Sequence, residues 1–212
     1  VEAVAGSGKT TTALELLKVI PQNLDVIYLA FNKHIANELQ SRIPTNAKAL
    51  TYHSLGFSIC RENYGKSIKV DADKTNGILQ SLLNKYSYGH LYPAIRRLTA
   101  LCKNSLLSPD IDTLVDLSIA HSIDINGDID LISDTISDLL YKSKMNTHIV
   151  DFDDMCWIPV VEKLPAHKYD IIIVDELQDT NKTQVELALM SIAPNGTIIG
   201  VGDRFQSIYG FR

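Results

Sequence analysis

Residues 1–17, VEAVAGSGKTTTALELL, change their hydrophobic rhythm within one short stretch. Val1 to Ala5 are mostly apolar and a glycine-bearing turn follows. From Thr10 to Val19 the residues Ala13, Leu14, Leu16 and Leu17 then recur as they do on a helix packed against a sheet. This is strand, loop, helix, and the next segments repeat the theme. Pro21 stops the helix, DVIYLAF at 25–31 reads as a buried strand, and a helix is predicted from about Lys33 to Arg42. AKALTY at 47–52 reads as a shorter third strand. YDIIIVDE at 169–176 and GTIIGVGD at 196–203 are apolar runs that end in acid, with a helical pattern over Val185 to Ile192 between them, and both read as fully buried parallel strands. The fold class that follows is α/β with a parallel sheet.

The middle of the chain reads differently. From about Arg61 to His148 strand signals vanish and Leu/Ile repeats at helical spacing take over, around Ile78 to Leu83, Leu91 to Leu101, Leu114 to Ile119 and Leu131 to Leu140. We read a helical insertion in an α/β core, dividing the chain into 1–60, 61–149 and 150–212. No Lys or Arg lies between Lys103 and Lys142 while eight Asp do, a pattern that reads as a solvated helix face. Just before it stand Arg96, Arg97 and Lys103, which read equally as plain surface or as contacts to a phosphate backbone.

Composition limits the partners. With 20 Lys+Arg against 25 Asp+Glu the net charge is -5, so no bulk positive field marks the chain for nucleic acid, and any such binding has to come from a local groove. Cys60, Cys102 and Cys156 are odd in number and far apart, which fits buried thiols in a reducing compartment rather than a disulfide framework or a zinc site. No stretch approaches the length of a membrane span, and no secretory leader pattern opens the chain. An intracellular location is the expectation: cytoplasm, or nucleus in a eukaryote. The first residue is not methionine, so the chain reads as a stretch of something longer.

AVAGSGKT carries chemistry. A turn of residues without bulky Cβ atoms lets successive backbone N–H groups converge on phosphate oxygens at a helix N-terminus, and Gly6, Ser7 and Gly8 supply it, with Thr11 in the same turn. Ala3 stands where the usual G-x-x-x-x-G-K-[ST] pattern has its first glycine, and is small enough to serve. Lys9 would then reach the β- and γ-phosphates of a nucleotide such as ATP, and the Thr10 hydroxyl would bind Mg²⁺. The plainer alternative is a strand-to-helix turn with an incidental lysine. IIIVDELQD argues against that alternative. A buried strand ending in Asp175 and Glu176 puts two carboxylates at the carboxyl edge of a sheet, where ligands of α/β folds bind. Asp175 would hold Mg²⁺ and Glu176 would orient and activate the attacking water, which favours hydrolysis over transfer to a small acceptor.

GSGKTTT, LAFNKHIANEL, TYHSLG, VDFDDM, VDELQDTN and VGDRFQSIYGFR occur in the order found in the UvrD/Rep-type superfamily 1 DNA helicases, and the chain resembles that family over residues 1–56 and 150–212. The middle matches by position, as the family's inserted 1B subdomain. The FNK form looks closer to the F-box DNA helicase and phage-type branch than to the bacterial repair enzymes. The resemblance implies a RecA-like P-loop NTPase core, 1A, with ATP and Mg²⁺ as cofactors. It further implies single-stranded DNA or a single-strand/duplex junction as substrate, and a second RecA-like domain of the same protein, beyond these residues, as partner. It implies that these residues alone unwind nothing.

Gln178 would help form the nucleotide site, Gln206 would sense the γ-phosphate, and Tyr209, Phe211 and Arg212 would face DNA. Phe31, Asn32 and Lys33 follow one strand, and Tyr52 and His53 end another at the same edge, so these five are candidates for the strand-binding face. Asp151, Asp153 and Asp154 resemble a metal cluster in composition, but read as helix-start and subdomain-hinge residues. Two other classes remain open in the sequence: a nucleotide-gated nucleic-acid-binding module without processive motion, and a P-loop kinase acting on a small acceptor.

Overall fold

The computed structural model describes residues 8–83, 85–125 and 128–203. Its centre is a four-stranded sheet in the order β2 (Ala47–Thr51), β1 (Val26–Ala30), β5 (Tyr169–Val174), β6 (Ile192–Gly200), with every neighbouring pair parallel. The central strand β1 is buried along its whole length, which is why VIYLA is apolar at every position rather than at alternate ones. Its side chains still alternate between two cores. Val26, Tyr28 and Ala30 face one layer with α1 (Lys9–Val19) and α2 (Lys33–Gln40), and Ile27 and Leu29 face the other with α3 (Tyr52–Tyr64), α9 (Phe152–Val161) and α10 (Lys182–Ser191).

The strand expected over Val1–Ala5 lies outside the described residues; the other expected strands and helices are present with shifted ends, and one reading is corrected: β6, expected to be fully buried, has a single neighbour in the described sheet and leaves Thr197 and Ile198 exposed. Tyr52, read as the end of a strand, instead opens α3, because Thr51 caps that helix by accepting from the Ser54 N–H at 3.2 Å. β6 begins at Ile192, directly after α10, and its register with β5 shifts between Tyr169 and Ile171. Gly56 marks the tightest helix contact: a Cβ there would lie 2.0 Å from the carbonyl oxygen of Met155, so α3 and α9 meet backbone to backbone.

Between α3 and α9 the chain runs through β3 (Lys69–Val70), α4 (Lys74–Leu82), α5 (Lys85–Tyr88), α6 (Tyr92–Ser105), α7 (Ile111–Ala120), α8 (Ile129–Met145) and β4 (Ile149–Val150). These helices bury a core of their own, including Leu79, Ile95, Leu98, Leu114, Ile132 and Leu139. All eight aspartates of the acidic run are exposed. The reading of this region as strand-free needs one correction: Lys69 and Val70 pair in parallel with Ile149 and Val150, closing the insertion at its neck. Two residues are too few to show a period of two, so the pattern could not reveal them. α3 runs through residue 60, so the first division of the chain falls inside a continuous helix. The three cysteines are free and buried. Among the described residues no helix is long and apolar enough to cross a membrane.

Candidate functional site

Because all four strands run the same way, the residues that follow them gather at one edge of the sheet: Phe31 and Asn32 after β1, His53 after β2, Asp175 and Glu176 after β5, and Asp203 after β6. α1 leads by a short connection into the start of β1, so its own N-terminus faces the same edge. That terminus is opened by Gly8 in a left-handed conformation (φ 82°) with nothing within 4 Å of the position a Cβ would take. Lys9 and Thr10 are described by their backbone alone, and Thr11 is exposed in the same turn. Gly6 and Ser7 lie outside the described residues.

Asp175 is buried and still belongs to the sheet, its N–H donating to the Leu29 carbonyl at 3.0 Å. Beneath it burial, and then the charge of Asp175, push the Tyr28 phenol far above its usual pKa, so it stays a neutral wall of the site. Glu176 adopts a left-handed backbone (φ 47°), which costs a non-glycine residue roughly 1–2 kcal/mol. The strained turn lifts its side chain off the strand axis, and Gln178 fastens it: the Gln178 amide donates to Glu176 Oε2 at 2.7 Å and its carbonyl oxygen accepts the Asp203 N–H at 3.0 Å. Gln178 therefore links the catalytic candidate Glu176 to the segment that leads out of β6. A carboxylate at the strand end, a hydroxyl-bearing helix start and an open glycine turn fit a nucleotide with Mg²⁺, a cation that keeps most of its shell for phosphate and water. Among the described residues no group of three or more potential ligands forms an all-protein metal cage.

Beside this corner lies a cleft of about 340 Å³ whose lining includes Phe31, Asn32, Lys33, His53 and Phe152. Phe31 is 40% exposed and Phe152 55% exposed, a large investment of aromatic surface in solvent. His53 and Phe152 meet edge to face with ring centroids 6.1 Å apart. Asn32 caps α2, accepting from the Ile35 N–H at 2.9 Å, so its oxygen is engaged in the fold. Tyr52, expected at this face, is instead turned inward: it is 6% exposed, packs with Leu55 and Cys156, and directs its hydroxyl toward Thr180. The first residue of α3 points under the sheet and the second points out, which the strand reading of TYH could not foresee. Phe152 was missed in turn. Its signal lay in VDFDDM, where Asp151 and Asp154 form a capping box that turns both acids inward and leaves Phe152, the first helical residue, facing solvent. Gln206, Tyr209, Phe211 and Arg212 lie outside the described residues.

The family model for the UvrD/REP helicase N-terminal domain matches residues 1–212, the whole chain. The chain belongs to this helicase family. It is 31% identical over 248 residues to the ATP-dependent DNA helicase srs2 of Schizosaccharomyces pombe, covering 98% of this chain and 27% of that protein. It is 29% identical over 239 residues to F-box DNA helicase protein 1 of the same yeast, covering 100% of this chain and 26% of that protein. With the ATP-dependent DNA helicase Rep of Escherichia coli it shares 26% over 245 residues, 99% of this chain and 34% of that protein. The chain thus spans about a quarter to a third of the length of these relatives.

In this UvrD/Rep-family chain the acids of VDFDDM have a structural task. Asp154 is fully buried and takes Lys103 at 2.7 Å on one oxygen and Lys74 at 2.6 Å on the other, with the Ser143 hydroxyl between them. Burial pushes the Asp154 carboxyl up, but the two ammonium groups more than offset it and hold it below the usual range. Lys103 is held above its usual value because Asp154 and Asp151 outweigh its burial. Lys103 and Asn104 reach the β5 side of the sheet edge as well: the Thr183 hydroxyl donates to the Lys103 carbonyl, and Asn104 joins Asp153 to Asn181, the cap of α10. The insertion is thereby fastened to the segment directly after the DELQD turn.

Proposed function

We propose that this chain forms the N-terminal motor portion of an ATP-dependent DNA helicase or translocase, hydrolysing ATP to ADP and phosphate in response to single-stranded DNA. Residues 1–60 and 150–212 serve as the RecA-like 1A core and 61–149 as the 1B insertion. The observation that carries the reading is the shared edge of one parallel sheet, where Asp175 and Glu176 stand beside the aromatic cleft of Phe31, His53 and Phe152. The relatives' names, all ATP-dependent or F-box DNA helicases, support it.

The backbone N–H groups of Gly6, Ser7 and Gly8, with Lys9 and Thr11, hold the phosphates at the start of α1. The Thr10 hydroxyl and the Asp175 carboxylate hold Mg²⁺, which when bound offsets phosphate charge. Glu176 orients the attacking water and accepts its proton, kept in position by Gln178. Gln206 senses the γ-phosphate side, and Tyr209, Phe211 and Arg212 grip the strand together with Phe31, Lys33, His53 and Phe152. Asn32 contributes by fixing the start of α2. Aromatic rings stack on bases of any sequence at about 1–3 kcal/mol each, which suits a machine that reads no particular sequence. The Gln178 tie between Glu176 and Asp203 gives the two halves a route by which each can bias the other. The partners are single-stranded DNA or a single-strand/duplex junction and a second RecA-like domain of the same protein.

ATP hydrolysis by the whole protein, measured with and without single-stranded DNA, tests this reading. Lys9→Ala should weaken nucleotide binding, whereas Glu176→Gln should retain binding and lower turnover by about 10²–10⁴-fold. Turnover indifferent to DNA, or equal in both variants and the parent, rejects the assignment.

A further inference from the structure

Tyr28 differs in kind from the rest of its layer. Among the described buried residues packed with it beneath α1 and α2 the others are Ala, Leu, Ile and Val, and a phenylalanine would fill the same space. Tyr28 has no exposed surface, and among the described residues its hydroxyl has no partner at hydrogen-bonding distance and angle. A buried hydroxyl left unpaired costs free energy that phenylalanine would avoid, so the polar atom needs a reason.

The register of the sheet supplies one. Tyr28 stands opposite Ile173 in the parallel pair of β1 and β5, and Asp175 follows two residues further toward the carboxyl edge, on the same face. The next residue of β1 on that face is Ala30, whose methyl takes little of the space between the ring and the edge. After burial itself, the groups that act on the phenol are Asp175, through its charge and its acceptor oxygens, and then Glu176. All of them favour the protonated form, so the hydroxyl is a donor facing an acceptor. Asp175 is meanwhile tied to backbone: its N–H donates to the Leu29 carbonyl, and its Oδ1 accepts the Glu176 N–H at 3.1 Å. Tyr28 approaches from beneath, with a side-chain donor.

We propose that Tyr28 is a positioning residue for the metal ligand Asp175: its hydroxyl donates to the Asp175 carboxylate as that group turns toward a divalent cation, fixing one oxygen and leaving the other for the ion. The proposal rests on the reading of Asp175 as a Mg²⁺ ligand and deepens it by naming what orients that ligand. Partners of this kind set the direction of a ligating side chain, and losing one weakens metal binding by about 10–100-fold. The orphaned hydroxyl is thereby accounted for, since the bond it is placed to make belongs to the loaded site and not to the fold.

The test follows Mg²⁺-dependent binding of a fluorescent, non-hydrolysable ATP analogue by the whole protein, with thermal melting alongside. Tyr28→Phe should raise the Mg²⁺ concentration for half-maximal binding by about 10–100-fold. Binding in EDTA should stay at the parental value, and the melting temperature of the nucleotide-free protein should stay level or rise, because no partner is lost from the fold. Added to Asp175→Asn, the same substitution should cause no further shift. Tyr52→Phe, which removes another buried hydroxyl without a partner, should leave the Mg²⁺ requirement unchanged. An unchanged requirement in Tyr28→Phe beside a clear shift in Asp175→Asn overturns the role of Tyr28 and leaves the metal reading standing. A lower melting temperature with equal losses in Mg²⁺ and in EDTA, or an equal shift in Tyr52→Phe, also overturns it, since either would mark a general loosening of the core. If Asp175→Asn itself leaves the Mg²⁺ requirement unchanged, the metal reading fails and takes the role of Tyr28 with it.

Discussion

Two acidic segments of this chain look alike and behave as opposites. VDELQD and VDFDDM each follow a strand and each begin with a buried Val and a buried Asp. After β5 the turn is strained, Glu176 remains partly open to solvent, and its nearest fixed partner is the neutral amide of Gln178. After β4 the acids are closed over: Asp154 has no exposed surface and two ammonium groups hold it. The difference teaches that a carboxylate is set aside for chemistry or for structure by what reaches it. A charge pair that is buried and satisfied works as a joint, and a partly exposed carboxylate held by an amide at a sheet edge leaves room for an incoming ligand.

The sharpest way to break the comparison is to remove one acid from each segment and measure urea unfolding. Asp154→Ala should destabilise by about 3–5 kcal/mol, because it leaves two lysines buried without their main partner. Asp175→Ala, at the sheet edge, should change stability far less and should remove DNA-stimulated hydrolysis. Equal stability losses in the two variants would erase the distinction.

Next in size, Gly56→Ala should cost about 1–3 kcal/mol, since the added methyl would fall 2.0 Å from the Met155 carbonyl oxygen and force α3 away from α9. Thermal melting reads it. A loss of this size with unchanged nucleotide affinity would separate the neck from the proposed nucleotide corner.

pH sharpens the comparison further. Asp154 is held below its ordinary value in the fold, so its contribution is present above the unfolded pKa of about 3.9 and disappears as pH falls through the folded value. Lys103 is held above its ordinary value, so its contribution is complete below about pH 10.4 and is lost as pH rises through the folded value. Burial dominates at Lys74 and lowers its value, which opposes Lys103 on the alkaline side, so the parent should lose stability on the acid side, and Asp154→Asn should show a flatter acid limb in melts run across pH.

The smallest effect belongs to the surface. Lys18 and Glu15 pair at 2.6 Å with both side chains more than half exposed; Lys18→Ala should shift stability by no more than about 0.5 kcal/mol in the same melts. A larger loss would mean that geometry alone, without burial, accounts for the strength of the neck.

Much of the fold was legible because it is written in periods. The even burial of VIYLA, the buried run Ile172–Val174 and the helical repeats of the insertion each follow from residues a few positions apart. The candidate site was legible where a motif fixes the backbone, as at Gly8 and at the strand end before Asp175. It was less legible where one residue decides between two faces. Tyr52 and Phe152 are both first residues of helices, yet one ring enters the core and the other enters solvent. The trio Arg96, Arg97 and Lys103 reads as one patch in sequence, and the turn of α6 divides it.

By itself the sequence determined the order of the described core strands and helices, the glycine turn that opens α1 and the acidic start of α9, because each depends on neighbours within about one helical turn. Only the tertiary structure decided which charges face water. The partners of Asp154 lie 51 and 80 residues away along the chain, and a lysine's long stem can deliver its charge either to solvent or to a buried acid. Whether it does so is settled by the packing of α4, α6 and α9 against one another, a contact that no local pattern encodes.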